Sequence, residues 1–121
     1  MNSESSGKLE YFISEKNDFL VVSFLGAMTK LTAPIIEKCI AEVITASAKK
    51  TVLNFHDVIQ IEPGAIAPLV RLQKAVREKP GDLRLCFIKP VFLQYLHEAG
   101  AIRPAEISDN LLLALQSFNS K

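Results

Sequence analysis

At 121 residues the chain is long enough to bury a sizeable core as one domain and too short to imply two. With 49% apolar and 22% charged residues and a net charge of +1, it has the balance of an ordinary globular protein and no whole-molecule field to attract nucleic acid or an anionic membrane. No apolar run approaches the ~20 residues of a spanning helix, and Met1 to Lys8 lack the basic start and apolar centre of a signal peptide, so a cytoplasmic protein without membrane insertion is expected.

Residues 1–7 are small and polar and read as a frayed arm ahead of a single domain over residues 8–121. Leu9 to Glu15 alternates Leu9, Tyr11 and Ile13 against Glu10, Phe12 and Ser14, as a strand does. Asn17-Asp18 signals a turn, and the apolar run Phe19 to Leu25 completes an antiparallel hairpin whose second strand is expected to be buried on both faces. After the Gly26 to Thr32 loop, Thr32 is the expected N-cap and Pro34 sits just inside a helix running to about Ala48. Ile35, Ile36, Cys39, Ile40, Val43 and Ala46 gather on one face of it, and Lys49-Lys50 suit the negative pole at its end.

Val52, Leu53 and Phe55 make a buried strand, with Asn54, His56 and Asp57 as polar turn formers. Glu62-Pro63-Gly64 opens the next helix. Pro68 would cost about 3 kcal/mol deep inside a helix, so regular helix is expected only from about Ala65, leaving Glu62 to Gly64 as an irregular exposed loop. That helix continues to Glu78 with Arg71, Lys74 and Arg77 as a basic ridge, and Lys79-Pro80-Gly81 ends it. Leu83 to Ile88 is a strand, Pro90 opens a third helix stopped by Gly100, and Glu106 to Ser108 is a short edge strand. Ser108 or Asp109 is expected to cap a last helix to about Phe118, on which Leu112 and Leu113 are surplus to the inward face. The order β-β-α-β-α-β-α-β-α makes an α/β fold: a mixed sheet of about five strands with about four helices.

Thr51 to Val70, a strand leading into a helix, resembles the corner of a STAS domain, the family that includes bacterial anti-sigma factor antagonists. The resemblance extends over residues 8 to 119 in element order, including Gly26, Thr32 and Ala33 before the first helix and Gly100-Ala101-Ile102 after the third. In those antagonists a kinase phosphorylates the second Ser of an Asp-Ser-Ser-Gly-type loop, and the added charge controls partner binding. Aligned without gaps, Glu62 takes the place of the Asp, Pro63 the first Ser, Gly64 the phosphorylated Ser and Ala65 the Gly; sliding by one residue puts Pro63 at the phosphosite. Neither carries a hydroxyl. Thr29 stands where the antagonists commonly have an acid near the phosphosite. The resemblance implies a protein-interaction module whose partner is an anti-sigma factor or related kinase, binding through Thr29, Glu62, Pro63, Gly64, Ala65, Ile66, Arg71 and Lys74, with Gly64 as a phosphosite equivalent that cannot be phosphorylated there. It also admits a subunit or sensory module of a larger stress-signalling or lipid-transport assembly, and a homo-oligomer.

An enzyme would need a nucleophile with a base, a metal cluster or a phosphate loop. His56-Asp57 has no Ser, Thr or Cys beside it, and neighbours on an extended segment are expected to point apart. His97 and Glu98 are likewise adjacent on a helix and do not face each other. The glycines are scattered at bends, and Cys39 and Cys86 lie far apart in apolar patterns, as buried thiols do. The expectation is a non-enzyme with no cofactor and no metal; a small enzyme or ligand carrier would require a pocket uniting two of His56, Glu62 and His97.

Overall fold

The computed structural model describes residues 8–79 and 81–118, so the expected N-terminal arm lies outside the described residues. The elements are β1 (Leu9–Lys16), β2 (Phe19–Met28), α1 (Ala33–Thr45), β3 (Lys50–Ile61), α2 (Ile66–Glu78), β4 (Asp82–Cys86), α3 (Pro90–Glu98), β5 (Ile107–Ser108) and α4 (Leu111–Ser117). They form one five-stranded sheet in the order β1-β2-β3-β4-β5, with β1 antiparallel to β2 and every other pair parallel. The α/β class and element order expected from the sequence are those of the structure.

The sheet is covered unequally. On one face Leu20, Val22, Phe24, Leu53, Phe55 and Leu85 pack against Ile36, Cys39 and Val43 of α1, Leu69, Leu72 and Val76 of α2, and Leu96 of α3. On the other, α4 alone among the described elements lies down: Ala114 and Phe118 meet Val52 and Cys86, with Phe19 and Val21 half covered beside them. This corrects the expectation that β2 is buried on both faces. Its odd-numbered residues Phe19, Val21 and Ser23 are half-buried and Leu25 is exposed, because one short helix cannot roof the whole sheet.

The largest departure is the length of β3. It continues through Asn54, His56 and Asp57 to Ile61, where the sequence suggested a turn. The polar residues are absorbed by irregular pairing with β2: Ser23 faces Asn54 but Leu25 faces Asp57, so Phe24 stands opposite two residues. A bulge of this kind takes up an extra residue without ending the strand. Asn54 satisfies it locally, its Oδ1 accepting from the His56 amide at 3.0 Å.

Caps also differ from expectation. Thr32 precedes α1 but makes no side-chain cap bond, and α1 ends at Thr45, not Ala48. Lys50 belongs to β3, and the α1 end is met instead by Lys79, whose Nζ donates to the Val43 carbonyl at 2.9 Å. β4 stops at Cys86, short of Ile88, where Phe87 adopts a φ of 60°. Neither Ser108 nor Asp109 caps α4; Asn110 does, its Oδ1 accepting from the Leu113 amide at 2.9 Å. Pro68 falls in the first turn of α2, where a missing N–H costs no helical bond.

The Asn110 cap gives a discriminating prediction. Asn110→Ala should lower unfolding free energy by about 1 kcal/mol, whereas Asp109→Ala should change it by less than about 0.5 kcal/mol, as read from urea denaturation.

Candidate partner-binding corner

The parallel strands β2 and β3 finish at the same end of the sheet, and each turns there into a helix. Their exits are tied together: the Glu62 amide donates to the Met28 carbonyl at 2.9 Å. Pro63, Gly64 and Ala65 form a single 3-10 turn before α2, closed by the Ala65 amide on the Glu62 carbonyl at 2.9 Å. The expected irregular loop is therefore an ordered turn. Pro63 and Gly64 are exposed, Glu62 and Ile66 half-buried, and Ala65 buried.

Three neighbours that sequence reading did not single out shape this turn. Lys30 passes so close that a Cβ on Gly64 would lie 3.0 Å from the Lys30 Cβ, tighter than ordinary contact. Gln60 donates to a Glu62 carboxylate oxygen at 2.7 Å, fixing the acid's direction. Glu37 of α1 accepts from Arg71 Nε at 2.9 Å. The Lys30 contact comes from how two loops cross, the Glu37 contact from how α1 packs beside α2, and the Gln60 contact is local, between residues two apart at the end of β3.

Thr29 does not lie open beside the turn. It is 7% exposed, and its hydroxyl oxygen accepts from the Leu31 amide at 3.1 Å and the Thr32 amide at 3.3 Å. The Thr32 hydroxyl in turn accepts from the Thr29 amide and donates to the Ala27 carbonyl, both at 2.8 Å. The two hydroxyls thus brace the β2-α1 loop from within, giving partners to the Thr29 amide and the Ala27 carbonyl.

The basic ridge on α2 divides. Arg77 is drawn inward, donating to Glu106 at 2.6 Å and to the Ala101 carbonyl at 3.0 Å, in an ion pair whose members are both mostly buried. Arg71 is held by Glu37, so among the described residues Lys74 is the member of the ridge with no ion pair. The structure thus brings Glu62, Pro63, Gly64, Ala65 and Ile66 into one turn, places Arg71 and Lys74 along the helix that follows, and puts Thr29 beneath the adjoining loop.

His56 and Asp57 need a correction. The bulge turns their side chains toward each other instead of apart, with Nδ1 and Oδ1 separated by 2.9 Å. The His56 ring also stands edge-on to Phe87, with centroids 4.6 Å apart. Both members of the pair are exposed, and no hydroxyl or thiol completes a hydrogen-bonded relay with them among the described residues. His97 is exposed on α3. Among the described residues, four of the open hollows on the surface are lined by other residues, and none of these unites His56, Glu62 or His97. Among the described residues no group of three or more His, Cys, Asp or Glu could hold a metal ion, and no helix is long and apolar enough to cross a membrane.

Both thiols are buried and unpaired. Burial, with the nearby Glu42 carboxylate adding to it, pushes Cys39 up to about 12, and burial pushes Cys86 up to about 11. Neither is a thiolate at neutral pH, so neither is a nucleophile.

With this geometry, the STAS domain family profile matches residues 12–112. The chain belongs to the STAS family. Its fold is similar to that of an anti-sigma factor antagonist from Mycobacterium paratuberculosis, at 18% identity and a TM-score of 0.80, covering 94% of this chain and 97% of that one. A Moorella thermoacetica RsbS variant is similar at 16% identity and a TM-score of 0.74, with 91% and 95% covered. The murine anion transporter Slc26a9 contains a like unit at 14% identity and a TM-score of 0.74, which covers 89% of this chain and 19% of the transporter. No curated protein sequence matches the chain significantly. At these identities the likeness is one of fold.

Two outcomes follow. Thr32→Val keeps the shape but removes a donor and an acceptor from this brace, and should lower stability by about 1–3 kcal/mol in chemical denaturation. For the thiols, unfolding returns each to an ionisation near 9, so the folded state holds its protons to higher pH. Stability should therefore be undiminished below pH 9 and decline as pH rises toward 11–12, a decline that Cys39→Ala shallows.

Proposed function

We propose that this STAS domain is a protein-interaction module of the anti-sigma-factor-antagonist type, not an enzyme, and that it binds its partner through Glu62 to Ile66 and the flank of α2 that carries Arg71 and Lys74. The observation that carries the reading is the corner itself. A 3-10 turn, tied to the end of β2 by the Glu62 amide on the Met28 carbonyl and closely approached by Lys30, presents Pro63 and Gly64 outward at the meeting point of two strand exits. A rigid protruding turn loses little conformational freedom on docking, which is what a recognition surface gains from being built on a folded scaffold.

The partner is a protein such as an anti-sigma factor or a related kinase, and contact is constitutive at this loop. From Ile59 to Val70 there is no Ser, Thr or Tyr. A Ser or Thr phosphorylation switch within that span is therefore chemically excluded, and Glu62 does not replace it: its carboxylate is engaged by Gln60 and carries less charge and fewer acceptor oxygens than a phosphate. Thr29 contributes by holding the loop, since its hydroxyl is buried and occupied.

A second reading, as one module of a larger assembly, draws on the like unit that makes up 19% of the murine transporter chain and on the exposure of Leu112 and Leu113 at 64% and 45%. In that case α4, not the corner, makes the contacts.

The two readings separate in a binding experiment. With the cognate anti-sigma factor immobilised, Glu62→Arg and Lys74→Glu should each weaken binding at least about tenfold by reversing a surface charge at the contact, while Leu112→Ser leaves it unchanged. Loss of binding only in the Leu112→Ser protein transfers the surface to α4. Mass spectrometry after incubation with the kinase should find no stoichiometric Ser or Thr phosphate; phosphate at Thr29 or Thr32 would refute constitutive contact.

A further inference from the structure

β1 is an open edge of the sheet: it pairs with β2 on one side, and no described strand lies on the other. Natural edge strands are commonly guarded by brevity, proline or a bulge. β1 has none of these, and of the other common guards it carries charge, at Glu10, Glu15 and Lys16. It runs eight residues in unbroken register with β2 and leaves Phe12 59% exposed. α1 covers the edge only in part: the Tyr11 hydroxyl donates to Glu42, but two open hollows of about 450 and 440 Å³ lie between the helix and β1, sharing Leu9, Glu10 and Ile35.

The direction of the unpaired backbone groups follows from the hairpin. Asn17 and Asp18, at φ of 53° and 71°, form a two-residue turn flanked by the pair Lys16 and Phe19. Such a flanking pair exchanges both hydrogen bonds. Lys8, of the same parity, accepts from the Ala27 amide at 2.8 Å. The even-numbered residues therefore bond to β2, and the N–H and C=O groups of Leu9, Tyr11, Ile13 and Glu15 point outward.

We propose that β1 pairs antiparallel with β1 of a second copy of this chain, about a two-fold axis at Ile13, joining two five-stranded sheets into one. Three pairings then exchange backbone bonds, Tyr11 with Glu15, Ile13 with Ile13 and Glu15 with Tyr11, giving about six N–H···O bonds. Side chains of opposite residues lie on one face, and the charges select the register. With Ile13 on the axis, Glu10 faces Lys16 of the second copy, a pair that symmetry repeats, and Lys8 lies toward the turn residue Asp18, whose Oδ1 already accepts from the Lys49 amide at 3.0 Å. Phe12 then lies against Ser14, and the two Ile13 side chains meet. Moving the axis to Phe12 sets Lys8 against Lys16 and buries Glu15 beside Leu9; moving it to Ser14 sets Glu10 against Asp18. Moving it to Tyr11 forfeits every opposite-charge pair. Within each chain Glu10 and Lys16 make no hydrogen bond or ion pair with a described side chain, so both are available.

Charge exchange tests the register. Sedimentation equilibrium of the wild type should show a concentration-dependent species of twice the 13.4 kDa chain mass. Glu10→Lys and Lys16→Glu should each raise the dimer dissociation constant about ten- to a hundredfold, by placing like charges opposite each other twice. Mixing the two single variants should restore dimers, because a heterodimer of Glu10→Lys with Lys16→Glu sets every Lys against a Glu. Circular dichroism and thermal melting of each variant should match the wild type, which separates lost pairing from lost folding. In hydrogen exchange, the Ile13 and Glu15 amides should be protected in concentrated wild-type solution and exchange rapidly when dilute. A wild type that stays monomeric to millimolar concentration overturns the proposal, and so does a dimer indifferent to the charge exchange.

Discussion

The parallel pairing of β2 with β3 is the constraint on which the rest of the molecule depends. It runs from Phe19 beside Lys50 to Met28 beside Ile61, through the middle of the sheet. Parallel strands expose their exits at a common edge, and in α/β sheets that edge is where recognition is built. Here both helices that leave the edge, α1 and α2, pack on the same face, and the Arg71–Glu37 pair ties them together. The position of the Pro63-Gly64 turn is thus set by the sheet beneath it, and the two bulges in β3 adjust its height relative to β2.

Much of this organisation can be read from the residues. Alternation in Leu9 to Ile13, Pro34 and Pro90 near helix starts, and the need to keep Pro68 within a first turn each express a local rule that the tertiary structure does not override. The failures share a cause. His56 and Asp57 look like turn formers because the cost of placing them in a strand is visible in the sequence, whereas the bulge that accommodates them requires β2 as a partner. Thr32 looks like a cap because its hydroxyl could reach a helix amide, yet the Ala27 carbonyl and Thr29 amide compete for it and win. Lys30 against Gly64 had no sequence signal, since it depends on where two loops cross, whereas Gln60 on Glu62 is a local contact two residues apart that the strand's extension to Ile61 brings onto one face. The family corner was legible from element order, and the chemistry of its environment was not.

The division of the α2 ridge carries a related point about charge. Arg71, Lys74 and Arg77 have identical spacing and near-identical sequence context, but one is neutralised by α1, one is sunk between Glu106 and the Ala101 carbonyl, and one faces solvent. At the corner, Lys74 has no ion pair among the described residues, and Arg71 is engaged by Glu37. The mostly buried Arg77–Glu106 pair instead holds α2 to the segment before β5; removing either partner would leave an uncompensated charge in poor contact with water.

The charges on β1 that select a register in self-pairing are also what edge strands use to avoid promiscuous pairing. Glu10, Glu15 and Lys16 make most alignments with a foreign strand unfavourable, so the same residues that discourage aggregation leave one symmetric solution open. Antiparallel pairing through β1 makes the strands of the two sheets run in opposite directions. The two Glu62 to Ile66 corners then point to opposite ends of the joined sheet, and neither is covered by the pairing. A partner with two binding sites could not close on both corners of one dimer from the same side, so bivalent engagement would link dimers in a chain and not cap a single one. Under the two proposals together, a monomer would end a complex built through the corner and a dimer would extend it.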